Sequence, residues 1–253
     1  MQKDFQPLGC HECADNRLLD FDFTMAFQPI VNTTSKQIFA YEALVRGINN
    51  EPAVQVFEQV NDSNRYRFDQ ACRVKAVKLA SELGITCLLS INFMPNAVYR
   101  PELCIRTTLA AAEQYNFPIE RILFEITEAE FIEDQLHLAE VVDYYKQRGF
   151  LTAIDDFGAG YSGLNFLANV RTDLVKLDMA LVRNINRDKV RQAIIKGVRQ
   201  VCEELDITLI AEGVETAEEL RTLQSFGIEL FQGYYFARPL FQALPTVPLA
   251  RFL

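Results

Sequence analysis

The chain alternates between short apolar runs and longer amphipathic stretches. Eight apolar runs predict β-strands at residues 21–31, 37–45, 86–92, 121–126, 150–155, 174–177, 207–211 and 229–231. Apolar residues recur at helical spacing in residues 68–83, 134–148 and 188–205. Strands that alternate with helices are typical of βα units, so the pattern predicts an α/β fold with a largely parallel sheet.

The first two predicted strands depart from this alternation. Only residues 32–35, Asn-Thr-Thr-Ser, separate them, and this polar turn is too short for a helix. We therefore expect an antiparallel hairpin. Gly84 and Gly149 follow two of the predicted helices and are expected to end them. In the helix at 188–205, one face carries the apolar residues Val190, Ala193, Ile194, Val198, Val201 and Leu205.

Polar residues lie at or near the ends of the predicted strands. They are Glu42, Asn92, Glu125, Asp155, Lys176, Glu212 and Gln232. In a closed α/β barrel all strand ends meet at one rim, and catalytic residues lie there. Carboxylates that crowd together need compensating cations, so the pattern predicts bound divalent metal ions.

The composition of the chain limits the binding partners and the cellular compartment that are expected for it. The 253 residues carry a net charge of −9, which disfavours binding to a long nucleic acid. No run of 18 apolar residues occurs, so no membrane span is expected, and the N-terminus lacks the apolar stretch of a signal peptide. The six cysteines are interpreted as reduced thiols and the protein as cytoplasmic. Residues 1–20 are predicted to be an extension and residues 21–253 a single domain.

The segment from Ile154 to Ser162, IDDFGAGYS, carries the most specific signal. Asp155 and Asp156 are adjacent at a strand end, and two ionised neighbours favour a cation. One carboxylate can bridge two metals while the other binds one. The glycines predict a loop that can close over a substrate. The alternative is an ordinary Asp-Gly turn.

The other motifs each have a plain structural alternative. Glu42 and Arg46 in YEALVRG can bind a metal and a phosphate, or be an exposed pair at a strand end. Glu125 and Glu128 in FEITE can serve a site or begin a solvated helix. Lys176 is either catalytic or extends its amine to solvent.

Three later features add candidates. Glu212 is another strand-end carboxylate, and Thr216 is expected to cap the next helix. Gln232 precedes a glycine turn and Tyr234, an aromatic that can stack on a base.

The chain has few candidate ligands for zinc. The only histidines are His11 and His137, and His137 is expected to be exposed on a helix, so histidine is not the general base. An all-oxygen site favours Mg²⁺ or Mn²⁺ over zinc. Cys10 and Cys13 resemble half a zinc site, but no second Cys-X-X-Cys pair exists, and ordinary thiols are the alternative.

In their order and spacing, the motifs EALVRG, SINFMP, FEITE, IDDFGAGYSGL, LVKLD, IAEGVET and FQGYYFARP resemble the EAL-domain cyclic-di-GMP phosphodiesterases. The resemblance extends from about Phe21 to Leu240. It implies a modified TIM (β/α)8 barrel whose first strand is antiparallel to the rest. It also implies hydrolysis of cyclic-di-GMP to linear pGpG with two Mg²⁺ or Mn²⁺ ions per active site.

The resemblance assigns a role to each matching residue. One metal would be held by Glu42, Asn92, Glu125 and Asp155, and the second by Asp155, Asp156 and Glu212. Lys176 would contact the attacking water, with Gln232 and Glu215 supporting the water shell and Asp178 lying behind them. Arg46 would bind a phosphate, while Gln28 and Leu44 would place a guanine. Glu128 would anchor the loop that follows the paired aspartates.

Two further expectations come with the resemblance. A homodimer is expected through the region after the DDFG loop, where Leu164, Phe166 and Leu167 suggest an apolar helix surface. Residues 49–64 fit the family pattern poorly, which leaves substrate access and dimer contacts open. The alternative function is a catalytically silent module that binds cyclic-di-GMP or a protein.

Overall fold

A closed barrel of strands forms the centre of the molecule. The computed structural model describes residues 19–98, 100–127, 134–159 and 163–252. The strands are β1 Phe23–Asn32, β2 Gln37–Gly47, β3 Leu88–Phe93, β4 Ile122–Thr127, β5 Leu151–Phe157, β6 Leu174–Leu177, β7 Thr208–Ala211, β8 Leu230–Gln232 and β9 Leu240–Phe241. All eight predicted strands are present, with ends shifted by at most two residues. The short β9, which the sequence did not predict, pairs with Ala26 and Phe27 of β1.

The strand order confirms the predicted fold class. Strands β2 to β8 follow one another around the barrel in parallel. The first strand closes the barrel by pairing antiparallel with both β2 and β8. The β1–β2 hairpin is the one expected from the short turn, and it places Gln28 opposite Glu42. The fold is therefore a modified TIM barrel with an antiparallel first strand.

Helices surround the barrel wall. They are α1 Ala53–Phe57, α2 Arg65–Glu82, α3 Pro101–Gln114, α4 Gln135–Gln147, α5 Gly163–Asn169, α6 Met179–Val182, α7 Lys189–Glu204 and α8 Ala217–Ser225. Gly84 and Gly149 follow α2 and α4 with φ of 71° and 92°, the left-handed conformation expected just after a helix end. The segment 49–64, which departs from the family pattern, contains only the short α1. No helix among the described residues is long and apolar enough to cross a membrane.

Two of the predicted apolar surfaces differ from expectation. Phe166 and Leu167 of α5 are buried in the core, and only Leu164 is exposed, so the apolar surface expected after the DDFG loop does not form. Phe166 and Leu167 are adjacent in α5, and both lie on the side of the helix that faces the core. On α7 the core side is formed by Ile195, Val198 and Cys202, whereas Val190, Ile194 and Leu205 are exposed.

The barrel interior has an apolar layer and a polar layer. The apolar layer consists of Ile30, Ala40, Leu123, Ala153, Leu174, Ile210 and Leu230. In six of these strands the polar candidate lies two residues further on, at Glu42, Glu125, Asp155, Lys176, Glu212 and Gln232. Side chains two residues apart on a strand share a face, so the same strands that build the apolar layer also point the candidate residues inward. In the antiparallel β1 the order is reversed, and Gln28 precedes Ile30.

Candidate metal centre

Lys176 lies among four carboxylates at the carboxyl rim of the barrel. Its Nζ is 2.7 Å from Glu212 Oε1, 2.8 Å from Glu125 Oε2, 2.9 Å from Asp155 Oδ1 and 3.5 Å from Glu42 Oε2. The lysine side chain is only 1% exposed. Lys176 therefore does not reach for solvent, and it acts here as the internal counter-charge of the acidic cluster.

The carboxylates form two overlapping groups. Glu42, Glu125 and Asp155 offer oxygen atoms within 4.8 Å of one another, and so do Asp155, Asp156 and Glu212. Asp155 belongs to both groups. Two cations that share one bridging carboxylate would fit this arrangement, and it matches the division of ligands that the resemblance implied.

An irregularity in β5 explains how two successive aspartates reach one site. In a regular strand, neighbouring side chains point to opposite faces. The pairing of β5 with β6 shifts register between Ile154 and Phe157, and Asp156 has a φ of 55°. A bulge with a left-handed residue redirects a side chain, and such backbone is common next to active sites. The bulge thus lets Asp155 and Asp156 face the same rim.

Hydrogen bonds from neighbouring strands hold the first carboxylate group. Glu42 accepts from Asn92 Nδ2 at 2.8 Å and from Gln232 Nε2 at 2.7 Å. Ser90 Oγ donates to Glu125 Oε1. Sequence reasoning missed Ser90, although it lies two residues before Asn92 on β3 and so had to share its face.

The acidic cluster contains more carboxylates than the single Lys176 ammonium can neutralise. Burial, together with the neighbouring carboxylates, raises the pKa values of Glu125, Asp155 and Glu212. Burial and the charge of Asp155 raise the pKa of Asp156 to about 6. Burial also opposes ionisation of Glu42, but Lys176 and the hydrogen bonds from Gln232 and Asn92 outweigh it, so the Glu42 pKa is lowered.

The donor set fits divalent cations that prefer oxygen. Four carboxylates surround one ammonium group, Asp156 adds a fifth beside Asp155 and Glu212, and Asn92 adds an amide that can turn its oxygen toward a cation. Gln232 Oε1 is buried and has no hydrogen-bond partner among the described residues, so it can accept from a metal-bound water. Within the described residues no histidine contributes, because His137 is half-buried on α4 with its Nε2 2.6 Å from the Val98 carbonyl oxygen. The expectation that His137 is simply exposed was wrong.

The remaining candidates lie around the cluster. Gln28 is buried, and its Nε2 donates to the Ala237 carbonyl at 3.1 Å. Leu44 and Arg46 are half-buried on β2, and the Arg46 guanidinium donates to the Val45 carbonyl. Tyr234 is 49% exposed, as a residue that contacts a ligand can be.

Two predicted supporting residues have other partners in this structure. Asp178 caps α6 by accepting from the Ala180 amide at 2.8 Å. The Glu215 carboxylate pairs with the Arg183 guanidinium at 2.7 Å and 2.8 Å, outside the acidic cluster. Its role beside the metal-bound water stays a prediction. Glu128 and Ser162 lie outside the described residues, as do Cys10 and Cys13.

Sequence reasoning also missed an arginine beside Tyr234. The Arg238 guanidinium lies 4.1 Å from the centre of the Tyr234 ring. Stacking of this kind is worth about 0.5–1 kcal/mol at exposed sites. Arg238 is part of the FARP motif and is therefore visible in the sequence. Its spacing of four residues from Tyr234, in an irregular segment, does not predict that the two side chains meet.

The barrel and its acidic rim define a protein of the EAL type. The EAL domain family model matches residues 14–239, and the chain belongs to this family. A standalone versatile EAL protein from Vibrio cholerae O395, solved in its c-di-GMP bound form, is 60% identical with a TM-score of 0.90, and the match covers 92% of this chain and 99% of that one. BlrP1 of Klebsiella pneumoniae, solved as a manganese/cy-diGMP complex, is 37% identical with a TM-score of 0.80 over 90% of this chain and 59% of that one.

Curated relatives carry two kinds of name. The blue light- and temperature-regulated antirepressor BluF of Escherichia coli K12 is 33% identical over 88% of this chain and 55% of its own length. The cyclic di-GMP phosphodiesterase PdeR of the same organism is 33% identical over 70% of this chain and 26% of its own length. The chain thus spans about half, or less, of these relatives.

Proposed function

We propose that this protein hydrolyses cyclic-di-GMP to linear pGpG. The observation that carries the proposal is the pair of overlapping carboxylate groups that share Asp155, with Lys176 between them. Relatives named as cyclic di-GMP phosphodiesterases and a 60% identical structure bound to c-di-GMP support the choice of substrate.

The proposed cofactors are two Mg²⁺ or Mn²⁺ ions. Glu42, Asn92, Glu125 and Asp155 would hold one ion, and Asp155, Asp156 and Glu212 the other. When bound, such ions lower the pKa of a water and neutralise charge that develops on the phosphate. The manganese complex of BlrP1 supports a divalent ion in this family.

The chain's own residues would orient the reactants. The Lys176 ammonium would donate a hydrogen bond to the attacking water and hold it in line with the phosphorus atom. Gln232, buried and bonded to Glu42, would accept from a neighbouring water through its free Oε1. The P–O bond to a ribose 3′ oxygen would break as the new P–O bond forms.

Residues beside the acidic cluster would bind the nucleotide. Arg46 would release the Val45 carbonyl and bind a phosphate through its guanidinium. Gln28 and Leu44 would place one guanine, and Tyr234 would stack on a base. Glu215, Asp178 and Glu128 would support these groups without contacting the phosphate.

Turnover of cyclic-di-GMP tests the proposal directly. Purified protein is incubated with cyclic-di-GMP and Mn²⁺ or Mg²⁺, and pGpG is quantified by chromatography. We expect pGpG from the wild type and none from Glu42→Ala, whose melting temperature should stay near that of the wild type. Glu113→Ala, at an exposed position on α3, is the matched control and should keep full turnover. Full hydrolysis in excess chelator would refute the metal-dependent mechanism.

The second candidate function is binding without turnover. BluF, which matches most of this chain, is named an antirepressor, so a relative with this barrel can act through a protein partner. Calorimetry that shows tight cyclic-di-GMP binding in Mn²⁺, with no pGpG after prolonged incubation, would favour this function.

We also propose a homodimer, through the outer face of α7. Val190 and Ile194 are 69% and 44% exposed there. Between them and the helix end lies Gly197, where an added Cβ would have no atom of the described residues outside its own helix within 4 Å. A mid-helix glycine costs about 1 kcal/mol relative to alanine, so a close partner helix gives it a reason. An exposed apolar strip of this kind favours a covered interface.

The charges of α7 favour an antiparallel copy of the same helix. Lys189 and Arg191 lie in its first turn, and Glu203 and Glu204 in its last turn. Two antiparallel copies related by a two-fold axis would bring opposite charges together.

Light scattering at micromolar concentration tests this interface. The wild type should be a dimer and Ile194→Asp a monomer, because a buried carboxylate at the interface is unpaired. Leu136→Asp, at a 77% exposed position on α4, is the matched control and should remain dimeric. A monomeric wild type would refute the proposal.

We also propose a cytoplasmic location, and the state of the cysteines supports it. The described cysteines Cys72, Cys87, Cys104 and Cys202 form no disulfide bond with one another, which suits a reducing compartment.

A further inference from the structure

A buried ion pair lies on the outer side of the barrel wall, behind the metal centre. Arg73 and Asp69 of α2 are 0% and 2% exposed, and Arg73 Nη2 is 2.7 Å from Asp69 Oδ2. The other carboxylate oxygen, Asp69 Oδ1, accepts from the Met94 amide at 3.0 Å. Nothing in the proposed chemistry uses this pair directly.

The pair is attached to the ends of β3 and β4, next to two candidate metal ligands. Met94 lies two residues after Asn92, in the turn that ends β3. The Arg73 guanidinium lies 5.3 Å from the ring centre of Phe93 and 5.2 Å from that of Phe124.

Strand alternation links those rings to the metal centre. Phe93 directly follows Asn92, and Phe124 directly precedes Glu125. Neighbouring residues of a strand point to opposite faces, so each ring packs outside the barrel wall at the place where its neighbour points inward. Asn92 and Glu125 are themselves paired across β3 and β4.

The helix α4 also contacts Arg73, through Tyr145. Arg73 Nη1 donates to Tyr145 Oη at 3.0 Å, and the Tyr145 ring lies 5.1 Å from Phe124. Arg73 therefore touches α4 as well as the two strands. A shift of Arg73 would be transmitted to both strand ends because interiors are close-packed.

Stability alone is a weak reason for this pair. Burying two charges is costly, and an apolar pair of similar volume is often as stable. What an apolar pair does not supply is an acceptor for the Met94 amide, which would lose its hydrogen bond in a half-buried turn.

We propose that Asp69 and Arg73 are positioning residues, which fix the orientation of Asn92 and Glu125 from behind the barrel wall through the Met94 amide and the Phe93 and Phe124 rings. The inference rests on the metal-binding part of the proposed function. Asp69 and Arg73 would touch neither metal nor substrate. They would set how well the first carboxylate group is preorganised.

Two double variants isolate the hydrogen bond to Met94. Asp69→Asn with Arg73→Met removes both charges but keeps an oxygen acceptor for the Met94 amide. Asp69→Leu with Arg73→Met removes both charges and the acceptor. Neither leaves an unpaired buried charge, so both are expected to fold, and circular dichroism and melting temperature verify this.

Calorimetric titration of each folded protein with Mn²⁺, without nucleotide and well below its melting temperature, gives the decisive comparison. Supporting groups of a metal site typically change metal affinity by about 10- to 100-fold. We expect Asp69→Asn/Arg73→Met to bind Mn²⁺ about threefold more weakly than the wild type, because the Arg73 contacts with the two rings are lost. Asp69→Leu/Arg73→Met, which also loses the acceptor for the Met94 amide, should bind Mn²⁺ at least about tenfold more weakly. Cys202→Ala, a core change on α7, is the control for lost stability and should leave Mn²⁺ affinity unchanged.

The outcomes separate the two proposals. Wild-type Mn²⁺ affinity in Asp69→Leu/Arg73→Met would overturn the positioning role. Absence of Mn²⁺ binding in the wild type would instead overturn the proposed metal centre. Turnover is a second readout. Asp69→Leu/Arg73→Met should need a higher Mn²⁺ concentration than the wild type for half-maximal rate, while its KM for cyclic-di-GMP should stay near the wild-type value.

Discussion

At the residue scale, Lys176 has one task that the structure shows and a second that the proposed mechanism assigns to it. In this structure it neutralises a buried cluster of carboxylates, and four of them lie within 3.5 Å of its Nζ. The carboxylates raise its pKa well above the usual value for lysine, despite burial that acts in the opposite direction. The ammonium is therefore charged throughout the physiological pH range, both as a counter-ion and as a donor to water.

Replacing Lys176 separates these tasks. Lys176→Met should lower turnover by at least about a hundredfold, because a group that orients the nucleophile is lost. Without metal the variant should also melt at a lower temperature than the wild type, since buried carboxylates lose their counter-charge. Saturating Mn²⁺ should recover most of the melting temperature but not the turnover. If Mn²⁺ recovered the melting temperature and the turnover equally, Lys176 would act only as a counter-charge to the carboxylates when no metal is bound.

At the element scale, strand alternation made most of the site predictable. Glu42, Glu125, Asp155, Lys176 and Glu212 come together because each lies two residues beyond an apolar interior residue. That relation is visible in the sequence.

Features that depend on packing between elements were not predictable in the same way. Ser90 could have been found from its spacing to Asn92, but Asp69 and Arg73 lie on a helix whose contacts with β3 are set in three dimensions. The inward side of α5 was misjudged for the same reason, since apolar residues alone do not tell which face of a helix meets the core.

The start of α8 shows how a local signal decides an element boundary. Thr216 accepts from the Glu219 amide, and the Glu219 carboxylate accepts from the Thr216 amide, which forms a capping box. The sequence predicted the cap, and the structure confirms it. Glu219 also accepts from the Asn184 amide, so the box joins α8 to the segment before α7.

Loss of this cap should weaken the fold. Thr216→Ala should reduce the free energy of unfolding by about 1 kcal/mol, because the cap hydrogen bond is lost. Urea denaturation measures the change. Thr222 is half-buried in the body of the same helix, where its hydroxyl only supplements the backbone at the Glu218 carbonyl, so Thr222→Ala should change stability by less than half as much. Equal effects of the two substitutions would argue against a special role of the box.

At the scale of the whole molecule, metal binding and folding should be linked. Five carboxylates meet at one rim, and a ligand that binds only the folded state stabilises it. Mn²⁺ at a hundred times its dissociation constant should raise the free energy of unfolding by about 2.7 kcal/mol. Differential scanning fluorimetry with and without Mn²⁺ measures the effect. Glu42→Ala should lose most of the shift.

The choice of cation should separate binding from turnover. Ca²⁺ prefers longer bonds and more ligands than Mg²⁺, so it should occupy the carboxylates without aligning the reactants. We expect Ca²⁺ to raise the melting temperature while it inhibits turnover in Mg²⁺. Turnover in Ca²⁺ at the Mg²⁺ rate would contradict this account.

The two layers inside the barrel have a consequence for how the family can diverge. The seven apolar residues of the lower layer close the barrel floor, while the polar residues above them carry the chemistry. A substitution in the upper layer can thus remove the proposed catalysis and spare the scaffold, whereas one in the lower layer weakens the scaffold on which the site depends. A barrel of this family can therefore lose hydrolysis and still fold, so the same scaffold suits relatives named as phosphodiesterases and a relative named as an antirepressor.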